Sequence, residues 1–339
     1  MPVAPIERND HSEPNAEAFI FGFEFPPTGE VLKVDWTRVK PTAACPASGW
    51  RWLHFNRLAD ETRAWLEESS GLDETVITAL LQTETRPRCV AHGSGLLVNL
   101  RGINHNPGAE PEDMISVRIW AARDIVISMR SYPVRAIHEL REEVAFDGGG
   151  LTPGALLVDI ASRLVDNIDP IIEQLRDDVD ECEEQLLSNA RKKLTAHELA
   201  EFRSTILLFR RYIQPQRDAM AQMERESRVL IDANQVARLR ETGDRITRIA
   251  EELDTIRDRA AVLQDQVNGQ RQEQLNQRLL ALSIVSAIFL PLTFLTGLLG
   301  MNVAGIPYAQ EPWAFAAVLG LVGLVAGGLV GLLRLLKWI

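Results

Sequence analysis

Two stretches without a single Asp, Glu, Lys, Arg or His constrain this chain more than anything else in it: residues 279–299 and 313–333, 21 residues each. A helix rises about 1.5 Å per residue, so either run is long enough to cross the roughly 30 Å hydrocarbon core of a bilayer. The connection between them, residues 300–312, is short. The expected architecture is a large soluble body ending in a transmembrane hairpin.

Charge gives that hairpin a direction. Residues 1–278 hold 34 of the 36 basic and 46 of the 47 acidic residues, a net charge of −12. The outer-loop candidate 301–312 has no Lys or Arg, whereas Arg271 and Arg278 precede the first run and Arg334 and Lys337 follow the second. The positive-inside rule then places both termini in the cytoplasm and the loop outside. An acidic body beside a membrane can concentrate cations, or it is simply an ordinary solvated surface. It lacks the basic face that nucleic acid requires. No basic region followed by an apolar one opens the chain, so no signal peptide is expected. Cys45, Cys89 and Cys182 are far apart, which suits a reducing compartment and excludes a CxxC zinc finger.

The first 150 residues read as mixed α and β. Strand-like runs fall at 19–25, 50–55, 95–100, 115–120 and 124–129, and helix-like ones at 61–68, 73–82 and 134–144. FDGGG at 146–150 lacks the Lys-Ser/Thr of a phosphate loop and is expected to be a linker. Thereafter the pattern is helical. Thr152-Pro153 is a capped start, and Leu157, Ile160, Leu164, Ile168, Ile171, Leu175, Val179, Cys182 and Leu186 make one apolar stripe. Thr195 and Glu198 form a capping-box pair, opening a helix that Pro215 should kink.

A further helix is expected after Asp232 and need not stop before the membrane, because no proline interrupts residues 216–290. Leu239, Ile246, Leu253, Ala260 and Val267 are seven apart, as are Ile249, Ile256 and Leu263, giving an a/d seam. Continued to about residue 302 such a helix would be a stalk roughly 100 Å long at about 1.5 Å per residue. Extending the seam by sevens lands on Ala281 rather than on Leu279 or Ser283. Either the helix rotates or bends between Val267 and Asn276, or the seam faces neighbouring helices instead of the axis; the second is expected. The acids Asp177, Asp178, Asp180, Glu181, Glu183 and Glu184 fit a solvated helix face or a regulatory metal site. No two histidines have ligand spacing.

Within the first run, Asn276, Leu279, Ser283, Ser286, Leu290, Thr293, Gly297 and Gly300 recur at alternating steps of three and four, so they line one helix face. Lipid accounts for bulky faces but not for this polar one. Helix packing and pore lining both fit it. Gly323, Gly327 and Gly331 make a small-residue ridge on the second run that is better suited to packing. Two helices cannot enclose a channel, so a pore would need several copies. Neutral oxygens can hold a cation through its water shell without trapping it, while Leu279 and Leu290 would form apolar constrictions that gate by dewetting.

Gly300-Met301-Asn302, following PLTFLTGLL and preceding a short loop and a second span, resembles the CorA family of divalent-cation transporters. ETRPRC at 84–89, LRGIN at 100–104, RYIQPQRD at 211–218 and VAGIP at 303–307 are similar to its ZntB-type zinc-transporting branch. The resemblance covers nearly all of the chain after the first fifteen or so residues. It implies a homopentamer in a bacterial inner membrane. Each subunit would have an α+β cytoplasmic domain (1–150), a stalk of long helices (151–278), a pore-lining span (279–299), an outer loop (300–312), a second span (313–333) and a cytoplasmic tail (334–339). It also implies that Asn302 presents its amide to a hydrated cation at the outer mouth, with Gly300 and Met301 beside it. Thr293 would be the pore threonine, Leu290 an apolar gate and Asn276 the polar residue at the inner end.

Zinc is then the transported ion, with cobalt, nickel, cadmium and magnesium as alternatives, and no cofactor is expected. The resemblance further implies proton-coupled import, and the first span has no titratable group. Glu311, the one acid of the loop, either attracts cations or solvates a turn. A membrane-anchored metal sensor is the competing function. For an enzyme there is no nucleophile, base pair or phosphate loop.

Overall fold

The computed structural model describes residues 17–28, 30–43, 49–147, 149–187, 195–227, 230–301 and 311–336. By packing, the chain divides into two compact units, Met1–Leu263 and Gln264–Ile339.

The first unit is built on a seven-stranded sheet: β1 (Phe19–Phe25), β2 (Leu32–Val34), β3 (Trp50–Asn56), β4 (Arg88–His92), β5 (Gly95–Gly102), β6 (Ile115–Ala121) and β7 (Ile125–Arg130). Their spatial order is β2-β1-β3-β7-β6-β5-β4. Only β3 and β7 pair in parallel; every other neighbour is antiparallel. The five expected strands are all present and central. The two edge strands were not foreseen. β2 is only three residues long, and Arg-Cys-Val-Ala-His of β4 is a half-solvated edge without clean alternation.

Side-chain alternation gives the sheet two faces. Leu53, Phe55, Leu97, Trp120, Ile127 and Met129 point to one, where α2 (Asp60–Glu68) and α3 (Glu74–Leu81) cover them with Trp65, Leu66, Ile77 and Leu80. A short helix α1 (Trp36–Val39), capped by Asp35, closes that side through Val39. The other face meets α4 (Arg135–Asp147) and α5 (Pro153–Asp166). Gly102 lets α5 pack closely there, because a Cβ would come within 2.7 Å of Leu164 Cδ2 and that side chain would have to shift.

Thr152 caps α5 by accepting from Ala155 N at 3.1 Å. The single apolar stripe expected from 157 to 186 is broken in fact, since α5 ends at Asp166 and α6 spans Asp169–Leu187. Pro170 is the physical reason, having no N–H for the preceding turn. The stripe changes phase there, and Ile172 rather than Ile171 is buried. Thr195 and Glu198 form the expected capping box of α7 (Ala196–Glu226), which runs on through Pro215. Asp232 and Gln235 cap α8 in the same reciprocal way. Helix α8 is continuous from Ala233 to Leu299, and α9 covers Ala314–Leu335.

Within the single chain, Leu239, Ile246, Ile249, Leu253, Ile256, Ala260 and Leu263 are all at most 3 % exposed. The heptad seam is thus satisfied inside the chain, in line with the expectation that it faces neighbouring helices. Ion pairs flank it at the same period of seven: Arg238 with Asp159, Arg245 with Asp166 and Asp169, Glu252 with Arg176, and Arg259 with Asp180 and Glu183. The acidic run of α6 is therefore partly an ion-pairing face. Asp178 and Glu181 accept from Gln174 and Gln185 one turn away. Among the described residues no three His, Cys, Asp or Glu side chains come together as a metal site.

Candidate functional site

The C-terminal third of α8 and the whole of α9 are the apolar helices of the second unit. Each has an 18-residue window long and apolar enough to cross a membrane, with 0 % of that window buried in α8 and 6 % in α9. A soluble core helix would be mostly covered, so composition and exposure agree on a membrane environment.

On each helix the half-buried positions fall on one face and the rest is bare. On α8 the half-buried positions are Ile284, Ile288, Pro291, Leu292, Leu295 and Leu299. On α9 they include Ala314, Val318, Val322, Val325, Ala326 and Leu329, with Leu333 fully buried. Asn276, Leu279, Ser283, Ser286, Leu290, Thr293 and Gly297 are all exposed in the single chain. At about 100° per residue the midline of this polar stripe falls roughly 180° from the covered face. The stripe accordingly lies opposite the half-buried face of its own helix.

A Cβ added at Gly323, Gly327 or Gly331 would meet nothing within 4 Å, so within one chain the glycine ridge stands open. The branched aliphatic face of α9 is covered instead.

Hydrogen bonding gives the stripe its polarity. Ser286 Oγ donates to the Leu282 carbonyl at 2.9 Å and Thr293 Oγ1 to the Phe289 carbonyl at 2.8 Å. Each hydroxyl proton is used inside the helix, so the oxygen faces outward as an acceptor. That is the polarity a water bound to a cation needs. Pro291 adds to it by offering no N–H to the Ala287 carbonyl, an oxygen one turn after Ser283. Asn276 Oδ1 accepts from Gln272 Nε2 at 3.2 Å. Thr296, which the three-four spacing passed over, borders the stripe and donates to the Leu292 carbonyl at 3.0 Å.

The apolar members sit between these oxygens. Leu279 is 60 % and Leu290 72 % exposed, with no partner side chain from the same chain enclosing them. Gly300 ends the helix, its N–H on the Thr296 carbonyl at 2.9 Å. A Cβ there would lie 2.9 Å from the same Thr296 oxygen, so only glycine fits without a shift. Met301 follows and is exposed. Asn302 and the 303–307 motif lie outside the described residues, and Glu311, at the far end of the loop, is exposed.

A second constellation, in the first unit, was not foreseen as one site. ETRPRC, LRGIN and RYIQPQRD meet where β4, β5 and α7 adjoin. Arg101 N–H donates to Gln216 Oε1 at 2.6 Å, Gln216 Nε2 donates to the Arg101 carbonyl at 3.0 Å, and the Arg101 guanidinium lies 4.3 Å over the Tyr212 ring. Their sequence separation hid this, although each of the three stretches carries at least one arginine.

Three comparisons bear on these observations. The family model described as "CorA-like Mg2+ transporter protein" matches residues 47–335. The divalent cation transporter CmaX of Pseudomonas aeruginosa is 38 % identical over 289 residues, covering 85 % of this chain and 87 % of that protein. The zinc transport protein ZntB of Pectobacterium atrosepticum is 32 % identical over 288 residues, covering 85 % and 88 %. Among solved structures, full-length CmaX superposes with a TM-score of 0.81 at 36 % identity, covering 95 % of this chain and 98 % of that one.

Proposed function

The chain belongs to the CorA-like Mg2+ transporter family, and from that premise we propose that it is a zinc-importing member working as an inner-membrane homopentamer. In that assembly both termini are cytoplasmic and the first span of each subunit lines a single axial pore. The proposed pathway runs from Asn276 through Leu279, Ser283, Ser286, Leu290, Thr293 and Gly297 to Gly300, Met301 and Asn302. The proposed division of the chain is the sixfold one drawn from the sequence, with the stalk running to residue 278.

One observation carries this reading. The polar stripe is exposed and lies on the opposite side of α8 from its half-buried face. A polar face turned toward lipid on a membrane helix is costly, so it must be covered by something other than the chain's own hairpin. Copies of the same stripe around an axis cover one another and enclose water.

In such a pore the cation stays hydrated. The Ser286 and Thr293 oxygens, their protons committed to backbone carbonyls, accept from the cation's water shell. Leu279 and Leu290 form apolar rings that close by excluding water, and the pathway reopens when the rings wet. Asn302 screens the hydrated ion at the outer end, where Glu311 attracts it. Import is proposed to be coupled to protons, carried by groups outside the first span.

Zinc uptake into proteoliposomes, with and without a pH gradient, tests the reading. Wild-type protein should take up zinc and Asn302→Ala should not, with its oligomer intact. Unchanged zinc flux in that variant would overturn the proposal. Because the CmaX relative is named for divalent cations generally, magnesium, cobalt, nickel and cadmium belong in the same assay. A magnesium or cobalt rate above that of zinc would move the substrate to the broader class.

A further inference from the structure

The junction of the three arginine-bearing motifs holds a buried, donor-rich nest. Direct pairing in the sheet places Arg88 opposite Asn99 and Asn99 opposite Arg118. Directly opposed residues point to the same side, so the three side chains form a row on the face that α3 covers. Arg118 and Asn99 are each 1 % exposed and Thr85, whose carbonyl Arg101 holds, 7 %. Arg118 donates to the Leu80 and Thr83 carbonyls at 2.7 and 3.2 Å, and Arg57 to the Leu81 carbonyl at 3.4 Å. Arg101 donates to the Thr85 carbonyl at 2.9 Å. The C-terminus of α3 and the loop after it are thus pinned by guanidinium groups.

Backbone carbonyls account for only part of this arrangement. Among the described residues, Arg57, Arg88, Arg101 and Arg118 have no carboxylate within ion-pair distance, and the exposed Glu84 acts only on Arg101, through space and as the smallest of its influences. Burial, reinforced by the charges of Arg57, Arg101 and Arg88, pushes the Arg118 guanidinium down to about 9. Five buried polar atoms are also without partners: Nε of Arg88, Nε of Arg118, Thr85 Oγ1, and both Nδ2 and Oδ1 of Asn99. Four of those can donate, and only Asn99 Oδ1 is restricted to accepting. A buried water typically makes two to four hydrogen bonds, divided between donating and accepting, so one water leaves such a nest short of acceptors. It also leaves the positive charge uncompensated, which is the costly part of burying arginine.

We propose that this nest binds a tetrahedral oxyanion, a phosphate group, held between Arg88, Asn99, Arg118 and Thr85. Guanidinium forks match the geometry of such an anion, and the hydroxyl and amide supply its remaining donors. Gln216 and Tyr212 tie Arg101 to α7, and Arg101 holds the Thr85 carbonyl, so occupancy strengthens the joint between the sheet and α7. The nest lies in the first unit and uses none of the pathway residues. Phosphate can arrive free or on a nucleotide, and the test separates the two.

The measurement is thermal unfolding of the full-length protein in detergent, followed by tryptophan fluorescence. Sodium phosphate, ATP and sodium chloride are titrated against sodium gluconate at matched ionic strength. Wild-type protein should gain about 5 °C or more with a saturating profile. Saturation by phosphate identifies the free anion, and saturation by ATP alone identifies the nucleotide. Asn99→Asp supplies a resident carboxylate, so it should melt higher without added anion and lose the response. Arg88→Gln, at a partly exposed position, should retain the fold and need at least tenfold more anion. A shift that rises linearly with salt and persists unchanged in Asn99→Asp would overturn the proposal, as would no shift in wild type. An equal response to chloride would overturn the oxyanion assignment.

Discussion

Gln216 does for Arg101 what a neighbouring strand would do. Its side-chain oxygen accepts from the Arg101 N–H at 2.6 Å and its amide nitrogen donates to the Arg101 carbonyl at 3.0 Å. Extending the register that pairs Arg88 with Asn99 would set Arg86 opposite Arg101. Strand β4 begins only at Arg88, because Pro87 has no N–H and restricts the residue before it. The edge of β5 is therefore bare for one residue, and a glutamine from α7 fills the gap.

Gln216→Ala should destabilise the first unit by about 2–4 kcal/mol, since two buried backbone groups would each lose a partner worth about 1–3 kcal/mol. Gln216→Met keeps the volume and should cost nearly as much, because the loss is polar rather than steric. Denaturant unfolding followed by tryptophan fluorescence reads both. A methionine variant as stable as wild type would show that packing alone holds α7 there.

His54 sets an acid limit on the same unit. It is 1 % exposed, stacks on Phe21 at 4.8 Å, and its Nδ1 is 2.7 Å from Ser128 Oγ, while its Nε2 has no partner. Burial first, then the charges of Arg130 and Arg141, hold it well below the ordinary histidine range. The unfolded chain takes a proton near pH 6.5 and the folded one does not. Stability is therefore full above that pH and falls below it, by up to about 1.4 kcal/mol per pH unit. His105, exposed but also shifted down, adds in the same direction. Between pH 6.5 and 5, His54→Phe should flatten most of the slope seen in denaturant titrations. An unchanged slope would assign the acid sensitivity elsewhere.

The ion pairs that repeat every seven residues along α8 should contribute little despite their regularity. Arg238, Arg245 and Arg259 are 54, 27 and 30 % exposed, and pairs so open to water are worth under about 1 kcal/mol each. Replacing Asp159, Asp166 and Asp180 together by Asn should lower the melting temperature modestly at low salt and hardly at all at 1 M NaCl. Leu253→Ala, in the fully buried seam, should cost about 2–5 kcal/mol at either salt concentration. Equal salt dependence in the two variants would contradict this division.

How far the sequence went depended on the range of the interactions. Strands rich in aromatic and β-branched residues, the caps at Thr152 and Thr195, and the continuity of α8 are set within a few positions, and all were legible. So was the stripe from Asn276 to Gly300, because its three-four spacing is a local property of one helix. The break at Pro170 was legible too, but the apolar spacing ran past it. The partnership of Gln216 with Arg101 was not, since it joins residues 115 apart and depends on where β4 happens to start. The row of Arg88, Asn99 and Arg118 likewise exists only once three strands are in register. The heptad of Arg238, Arg245, Glu252 and Arg259 could have been read beside the apolar seam, whereas its partners could not.

The two faces of the first span make opposite predictions for cysteine scanning. On the pore reading, Ser283→Cys, Ser286→Cys and Thr293→Cys face water in the assembled protein. Each should react with a hydrophilic thiosulfonate and lose most of its cation flux on modification. Ile288→Cys and Leu295→Cys lie on the half-buried face and should stay unmodified. Among the native cysteines, Cys89 is buried and its thiol is pushed up to about 12, so it should not interfere. Cys182 is half-buried and is best replaced by Ser beforehand, as is Cys45. Flux lost from the Ile288 side and retained from the Ser283 side would turn the helix round. The polar stripe would then be a contact between copies rather than the wall of a water-filled path.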